Sequence, residues 1–374
     1  MIPGDELGHF NPHGGSFLAK DQTMLRCRTC VMPNTRPDTP FIDGECSACV
    51  SYRKRATVDW DARKAELLKI LDRHDGRCIV PSSGGKDSTW QVLKLLELGA
   101  DVTVVTARTC HLTPIGRANI DNLARYARTI EVVPNMTVRA KLNRLALEMV
   151  GDISWPEHCA IFSTPFRVSA ELKIPLLFYG ECPQEAYGGP IGTDEARQMT
   201  RRWVSEFGGF LGLRPDDFIG VEGITGSQMS DYNPVPWGDW GIAEPEAYFL
   251  GQFFEWDSRR NAMEAEAAGM LSMVPTNRNW WRGENLDNAQ TGLHDWFMLR
   301  KYGFGRGCQQ ISVDVRTGAC PRQDALPWAY AVDFGPAAWA GPPEEYANVR
   351  LDDVLDRIGM SRERLLELAR RFTA

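Results

Sequence analysis

No apolar run in this chain of 374 residues approaches the roughly 18 needed to cross a bilayer, so no membrane-spanning helix is predicted. Residues 1–21 are rich in Gly, Pro, His and Asn and have neither a basic start nor an apolar stretch. That pattern argues against a secretory signal and an amphipathic transit helix; the expected location is the cytoplasm, with no membrane partner. Positive charge is not in excess. With 42 Lys and Arg against 49 Asp and Glu, the net charge of −7 argues against nucleic acid as a partner, and a polyanionic substrate would need a local basic patch. Cysteine, at 10 residues, is too sparse for a disulfide framework in a chain this long, so metal binding and catalysis become the roles to look for. Internal repeats and low-complexity tracts are absent. What remains is globular: 43% hydrophobic residues suffice for a full core, and the length predicts about two domains.

The chain is organised around Ser83-Gly84-Gly85-Lys86-Asp87-Ser88, which follows the apolar Cys78-Ile79-Val80 and opens the helical pattern of residues 89–96. Strand, glycine turn and helix N-terminus in that order build a nest. Two glycines let the backbone bend tightly, successive N–H groups point into one concavity, and the helix dipole adds partial positive charge, so the nest suits phosphate. Lys86 supplies a full charge, Asp87 can hold Mg²⁺ on the phosphates, and Ser88 is expected to cap the helix and offer its hydroxyl. Thr106, late in the next strand, joins this expected nucleotide-binding set. A plain βα turn carrying a lysine is the alternative. The spacing is not that of a Walker loop, which needs four residues between its first glycine and the Gly-Lys pair. It resembles S-G-G-x-D-S, the pyrophosphate loop of the PP-loop ATP pyrophosphatases. That resemblance implies cleavage of ATP between the α and β phosphates, transfer of AMP to a carbonyl oxygen, and displacement of AMP by a nitrogen or sulfur nucleophile.

Upstream, Cys27-Arg28-Thr29-Cys30 and Cys46-Ser47-Ala48-Cys49 are two C-x2-C pairs separated by fifteen residues that include Pro33, Pro37, Pro40 and Gly44. Each pair is a thiolate knuckle offering two ligands of a tetrahedral site, and the turn-rich spacer lets the knuckles face each other. Zn²⁺ is the expected ion on Cys27, Cys30, Cys46 and Cys49, with an iron–sulfur cluster or a redox pair as alternatives. Four thiolates close the coordination shell, which assigns the site to folding rather than catalysis.

Apolar periodicity predicts a helix over residues 60–71, ending near Gly76, then the loop strand, the loop helix as far as Gly99, and a buried strand over 102–107. A helix over 120–128, a strand over 130–133, a helix over 138–150 and a strand over 174–179 continue the alternation. This is the pattern of an α/β fold with a doubly wound, Rossmann-like parallel sheet, in which ligands sit beyond the carboxyl ends of the strands. Residues 184–245 are rich in Gly, Pro, Trp and Tyr, with a helical island at 194–206, and read as an insertion over the site; residues 248–271 read as helical. Two short amphipathic helices split by Gly359 fill 350–372. The expected organisation is a loose arm (1–23), a zinc-knuckle module (24–56), an ATP-binding PP-loop domain (57–183), the insertion (184–245) and a substrate-side, mainly helical region (246–374).

Several motifs agree with one family. Met32-Pro33-Asn34-Thr35-Arg36-Pro37 between the knuckles, the 83–88 loop, Gly116-Arg117-x-Asn119 followed by Asn122-Leu123, and Tyr179-Gly180-Glu181 running to Tyr187-Gly188-Gly189 resemble the N-acetyl sugar amidotransferases. So do Phe253-Phe254-x-Trp256-x-Ser258 and Lys301-Tyr302-Gly303-Phe304-Gly305-Arg306, so that the resemblance runs from Cys27 over nearly the whole chain. It implies, as in the pseudaminic-acid type, conversion of an acetamido group on a bacterial sugar to an acetamidino group, with ATP and with ammonia from a partner glutaminase. On the same resemblance, Glu181, Tyr187 and Arg306 join His111 and Cys308 as expected substrate-binding residues.

Three cysteines depart from the family pattern: Cys110 just before His111, Cys182 after Glu181, and Cys308 in Gly307-Cys308-Gln309, where the family reads Ala-Thr-Asp. Buried cysteine is often an inert small hydrophobe. Three at motif positions nonetheless resemble the cysteine pairs of PP-loop sulfurtransferases, which implies a persulfide carrier at Cys110 and a resolving thiol at Cys182. A thiolate near Lys86, Arg108 and a helix N-terminus is expected to have a lowered pKa. The favoured expectation is therefore sulfur transfer to an adenylated carbonyl of a small molecule, such as a purine or an amide, with a sulfur-donor protein as partner. Amidotransfer on an N-acetyl sugar is the alternative, and a catalytically dead nucleotide-sensing scaffold is the third reading. His294 and Asp295 beside Trp296 are weaker pocket candidates, Trp280-Trp281-Arg282 a weaker stacking platform, and a homo-oligomer is left open.

Overall fold

The computed structural model describes residues 24–37, 39–180, 186, 188, 198–200, 203–204, 208–233, 245–274, 279–335 and 341–373. The first elements are a short antiparallel pair, β1 (Phe41–Ile42) and β2 (Glu45–Cys46), and helix α1 (Ser47–Lys54). Helix α2 (Trp60–Arg73) follows; the Asp59 carboxylate caps it by accepting from the Ala62 N–H at 2.9 Å.

The alternation of strands and helices then runs β3 (Arg77–Pro81), α3 (Lys86–Glu97), β4 (Asp101–Ala107), α4 (Pro114–Leu123), β5 (Arg128–Val132), α5 (Met136–Val150), α6 (Trp155–Leu172), β6 (Leu176–Tyr179) and β7 (Glu246–Phe249). All neighbouring strands of the sheet are parallel, in the order β5-β4-β3-β6-β7. Side-chain alternation explains how both faces are covered. Cys78, Val80, Val102, Val104, Leu176 and Phe178 turn to one side and pack on Leu67, Ile70 and Leu71 of α2 and on Trp90, Val92 and Leu95 of α3. Ile79, Val105, Leu177, Ala247 and Phe249 turn to the other, against Val138, Leu142 and Leu145 of α5 and Trp155 and Phe166 of α6. Each fully buried Leu, Ile, Val or Phe contributes about 1.5–3 kcal/mol over exposure, so a strand buried on both faces is held by its pattern rather than by its turns. The result is a doubly wound α/β fold of Rossmann-like topology. Its winding reverses between β3 and β6, which puts a crevice at the carboxyl end of β3.

The expected elements differ in three places. Helix α4 begins at Pro114, not near residue 120, because Thr113 caps it by accepting from the Gly116 N–H at 2.9 Å and Pro114 suits the first turn. The stretch expected to be helical from Tyr248 begins as strand β7, whose apolar Ala247 and Phe249 alternate with Glu246 and Tyr248 and pair with β6. Helix α6, unassigned from sequence, fills residues 155–172. Of 184–245, the described stretch 208–233 holds only short helical turns, and its Phe210, Phe218, Ile224, Met229 and Tyr232 join the core on the α5–α6 side of the sheet. In the helical island expected at 194–206, Gln198 instead bridges to Tyr248 and the Met199 N–H donates to the Ala247 carbonyl of β7; the rest of the island apart from 200 and 203–204 lies outside the described residues.

Beyond the sheet come α7 (Ser258–Ala267), α8 (Thr291–Tyr302), α9 (Arg306–Arg316) and α10 (Arg322–Phe334), and then α11 (Leu351–Ile358) and α12 (Arg362–Phe372), which part at Gly359 with φ +69°. Both of the last two pack their apolar stripes on Leu147 of α5 and on Leu293, Trp296 and Phe297 of α8. The knuckle module does not stand apart. Its cysteines, Val31 and Met32 share one core with Phe304, Cys308, Ile311, Ala325 and Ala329 of the α9–α10 region. Among the described residues, no helix is long and apolar enough to cross a membrane.

Candidate functional site

The loop between β3 and α3 borders a cleft of about 430 Å³ at the topological switch point. Gly84 has φ +81°, and a Cβ there would sit 2.8 Å from the Ile120 nitrogen, so only glycine fits the turn. The Ser82 hydroxyl accepts from the Gly84 N–H at 2.9 Å and donates to Ser88 Oγ at 2.7 Å; Ser88 in turn donates to the Gly85 carbonyl at 3.2 Å. Gly85 is the N-cap of α3 and no side chain caps the helix, which corrects the expectation that Ser88 does so. Ser88 instead ties the first turn to the loop. Lys86 is buried and reaches Asp87 at 2.5 Å and the Glu284 carboxylate, with its Nζ 5.4 Å from the Trp281 ring centre. Asp87 accepts from Asn261 Nδ2 at 3.2 Å.

Residues 283–288 form the facing wall, and the motif glycine Gly116 explains how they come so close. A Cβ at Gly116 would lie 2.5 Å from Asp287 Cα. The Thr113 N–H donates to the Asp287 carbonyl and the Ala289 N–H to the His111 carbonyl, each at 3.0 Å, and the Thr113 hydroxyl donates to the Leu286 carbonyl. Asn119 makes a two-way bond with the Leu271 backbone at 3.0 and 2.7 Å, and Asn122 donates to the Ala268 carbonyl at 3.1 Å. These motif residues are clamps. Burial raises the Asp287 carboxyl to about 6.

The far half of the cleft is polar. Glu157, His158, His294 and Arg306 all line it. Arg306, expected from sequence, is held by Asp295 through bonds of 2.8 and 3.2 Å. Burial opposes its charge, but Asp295 outweighs that and raises its pKa further. Glu157 is fixed by Arg139 at 3.2 Å and Asn143 at 2.7 Å. His294 Nδ1 lies 2.8 Å from Asp152 Oδ1. Burial pushes the Asp152 carboxyl up, yet His294 and His158 together bring it well below the usual range. Of this half, sequence reasoning singled out Arg306 and, weakly, His294 and Asp295. Asp152, Glu157 and His158 carried no motif signal.

The remaining expected residues fall elsewhere. Cys110 is 2% exposed and does not line the cleft, although Thr109 does. Its thiol is pushed up to about 12 by burial and then by Glu157, the reverse of the expected lowering. Cys308 is fully buried against the knuckle module, with its Sγ 3.1 Å from Arg26 Nη1, and burial drives its thiol well above the ordinary value. His111 turns toward α11, where burial first and then Arg357 lower it to about 4. Thr106 is buried in β4 and does not line the cleft, unlike Val105 and Ala107 on either side of it. Neither Trp280 nor Trp281 lines the cleft; both indoles donate to Asp314, Trp280 at 2.8 Å and Trp281 at 3.2 Å. Cys182, Glu181 and Tyr187 lie outside the described residues.

The four knuckle cysteines meet as expected. Their sulfurs lie within 4.8 Å of one another, with Cys27–Cys49 at 3.8 Å and Cys30–Cys46 at 3.6 Å. A tetrahedron with metal–sulfur bonds of about 2.3 Å has edges of about 3.8 Å, whereas a disulfide would need about 2.0 Å. Backbone N–H groups of Cys30 and Cys46 point at Cys27 Sγ from 3.5 and 3.3 Å, and that of Met32 at Cys30 Sγ from 3.4 Å, which favours thiolates. The buried cluster thus has the donors and the spacing to hold a metal ion such as zinc.

In comparisons with known proteins, no family model matches the chain and no curated protein matches it.

Proposed function

We propose that this chain is an ATP-dependent, AMP-forming enzyme of PP-loop type that replaces a carbonyl oxygen of a small molecule by nitrogen. The observation that carries the reading is the glycine turn at the switch point, with Lys86 held at its rim and a polar chamber beyond it. In the proposed reaction the acceptor's carbonyl oxygen attacks the α-phosphorus of ATP and pyrophosphate leaves. Ammonia then adds to the activated carbon, and AMP departs with the former carbonyl oxygen while the nitrogen gives up its extra protons. Lys86 and the backbone of residues 83–88 bind and orient the phosphates. Asp87, a partly exposed carboxylate in the first turn of α3, fits as an oxygen ligand for Mg²⁺, which when bound offsets phosphate charge. Arg306, locked on Asp295, offers donors to the acceptor. The knuckle cluster, as a zinc site, is structural.

Nitrogen is favoured over sulfur because two of the three cysteines that motivated sulfur transfer are closed off from the cleft. A thiol with a pKa near 12 is almost wholly protonated at neutral pH and is a poor persulfide carrier. The resemblance to N-acetyl sugar amidotransferases supplies the acceptor class, an acetamido sugar, and ammonia from a glutaminase. The test is incubation with ATP, candidate acetamido sugars and either ammonia or a persulfide donor, with nucleotide products and accurate product mass as readouts. AMP, pyrophosphate and an amidine are expected from wild type and from Cys110→Ser, and none from Lys86→Ala. Release of ADP would overturn the loop reading. A thio product that is lost in Cys110→Ser would restore sulfur transfer.

A further inference from the structure

The turn that leads into α6 and the distant helix α8 bring Asp152, His158 and His294 together beside the polar half of the cleft. Asp152 lies in the turn between α5 and α6, His158 in the first turn of α6, and His294 in the first turn of α8. One donor atom from each lies within 4.8 Å of the others. His294 Nδ1 is 2.8 Å from Asp152 Oδ1, and His158 Nδ1 is 3.7 Å from Asp152 Oδ2. We propose that these three side chains form a second metal site, separate from the cysteine cluster, that takes a divalent ion of the Zn²⁺ class and opens onto the cleft.

Three observations carry this. First, two imidazoles and one carboxylate are a donor set suited to Zn²⁺ and to other first-row divalent ions, and three protein ligands leave coordination positions for an outside group. Second, a chain of hydrogen bonds does not account for the arrangement. The 3.7 Å between His158 Nδ1 and Asp152 is too long for such a bond, and the other polar neighbour of His158 is the Gly209 backbone, not a side chain of this group. Ligands about 2.1 Å from a common ion stand about 3.0–3.4 Å apart, so the observed 2.8 and 3.7 Å bracket a bound state that needs only small side-chain shifts. Third, the carboxylate is anchored from behind by the Ser154 N–H, which donates to Oδ1 at 2.8 Å, as the partners of metal ligands commonly are. Nearby positive charge is already engaged: Arg306 rests on Asp295, and Lys301 donates to the Val150 carbonyl at 2.9 Å. Both histidines line the cleft whereas Asp152 does not, so the open positions face the same chamber as Arg306. An ion there would polarise an oxygen or a bound water in that chamber. The inference rests on side-chain geometry alone and does not depend on the nucleotide reading.

The test is metal titration of the full chain, stripped of metal and reloaded under reducing conditions with Co²⁺ and, in parallel, Zn²⁺. Wild type is expected to bind two equivalents. One shows the intense sulfur-to-metal absorption of a tetrathiolate, and the other a weak spectrum of nitrogen and oxygen ligation. His158→Gln and His294→Gln should each keep the thiolate absorption and bind one equivalent. If these variants fail to fold, wild type still decides. The thiolate cluster contains no histidine, so exchangeable imidazole protons shifted by Co²⁺ in its proton NMR spectrum arise from a second site alone. A single equivalent in wild type, no shifted imidazole signals, or a second equivalent that survives both substitutions would overturn the proposal.

Discussion

Replacing Gly116 by alanine pits helix propensity against packing, and the structure says which wins. Gly116 occupies the first turn of α4, where Gly→Ala alone would stabilise by up to about 1 kcal/mol. The added Cβ, however, would sit 2.5 Å from Asp287 Cα and 3.1 Å from its Cβ and carbonyl oxygen. Carbon atoms at ordinary contact stand about 3.5 Å or more apart, so the backbone at residue 287 must retreat by about 1 Å. Overpacking of this kind costs about 1–3 kcal/mol. The retreat also strains the bonds that Thr113 and Ala289 make across this junction, each worth about 1 kcal/mol. A net loss of about 2–4 kcal/mol is expected, read as a lower denaturation midpoint by tryptophan fluorescence. The same shift moves Glu284 relative to Lys86, and in the reaction proposed above a misplacement of about 1 Å can lower the rate by about a hundredfold. Gly226→Ala is the matched control. It too starts a helix, but its new Cβ would meet nothing closer than Ile219 Cδ1 at 3.7 Å, and it should change little. A Gly116→Ala variant as stable as wild type would refute the account of the clamp.

Asp333→Asn strips buried Arg26 of its charged partner, 2.9 Å away, and should destabilise by about 3–5 kcal/mol in thermal unfolding; Arg26→Met with Asp333→Leu should regain much of that, and a neutral Asp333→Asn would contradict the pairing. With zinc loaded on the cysteine cluster, its removal by chelation should loosen helices α9 and α10 as well as the knuckles, because they share one core; hydrogen exchange that stays unchanged in 306–334 would count against this. Asp287 titrates near 6 when folded and near 3.8 otherwise, so the folded state holds its proton more tightly. The stability this confers is complete below about 3.8 and is lost as pH rises through 6. The full shift corresponds to at most about 3 kcal/mol, and solvent around this partly exposed group reduces it. Asp287→Asn should flatten that slope in denaturation curves taken between pH 4 and 7, and an unchanged slope would exclude Asp287 as its source.

The sheet was legible because burial on both faces writes continuous apolar runs such as Cys78-Ile79-Val80 and Val102-Thr103-Val104-Val105, which few other structures produce. Strand β7 escaped because Glu246-Ala247-Tyr248-Phe249 lies at the edge of the sheet, buried on one face only, and merges with the aromatic stretch that follows. Helix α6 escaped for a different reason. Its buried side mixes Trp155, Cys159, Phe166 and Val168 with Glu157, Ser163, Thr164 and Ser169, and Ile161 is exposed, so apolar and polar residues do not sort onto two faces from which 3.6-residue periodicity could be read.

For the site, legibility followed chain continuity. The glycine turn and the knuckle cysteines are local, and their spacing carries their geometry. The far half of the cleft sets Glu157 and His158 of α6 against His294 of α8 and Arg306 of α9, far along the chain, and no spacing rule connects the two groups. Cys110 shows the limit from the other side. Its place just beyond β4 correctly implied closeness to the crevice, but closeness along the chain does not set the direction of a side chain. Thr109 lines the cleft and Cys110, one residue on, is buried away from it beside Glu157, whose Oε1 accepts from its N–H at 3.3 Å. Apolar surroundings and a neighbouring carboxylate both disfavour a thiolate, so a residue one step from reactive geometry becomes a packed hydrophobe.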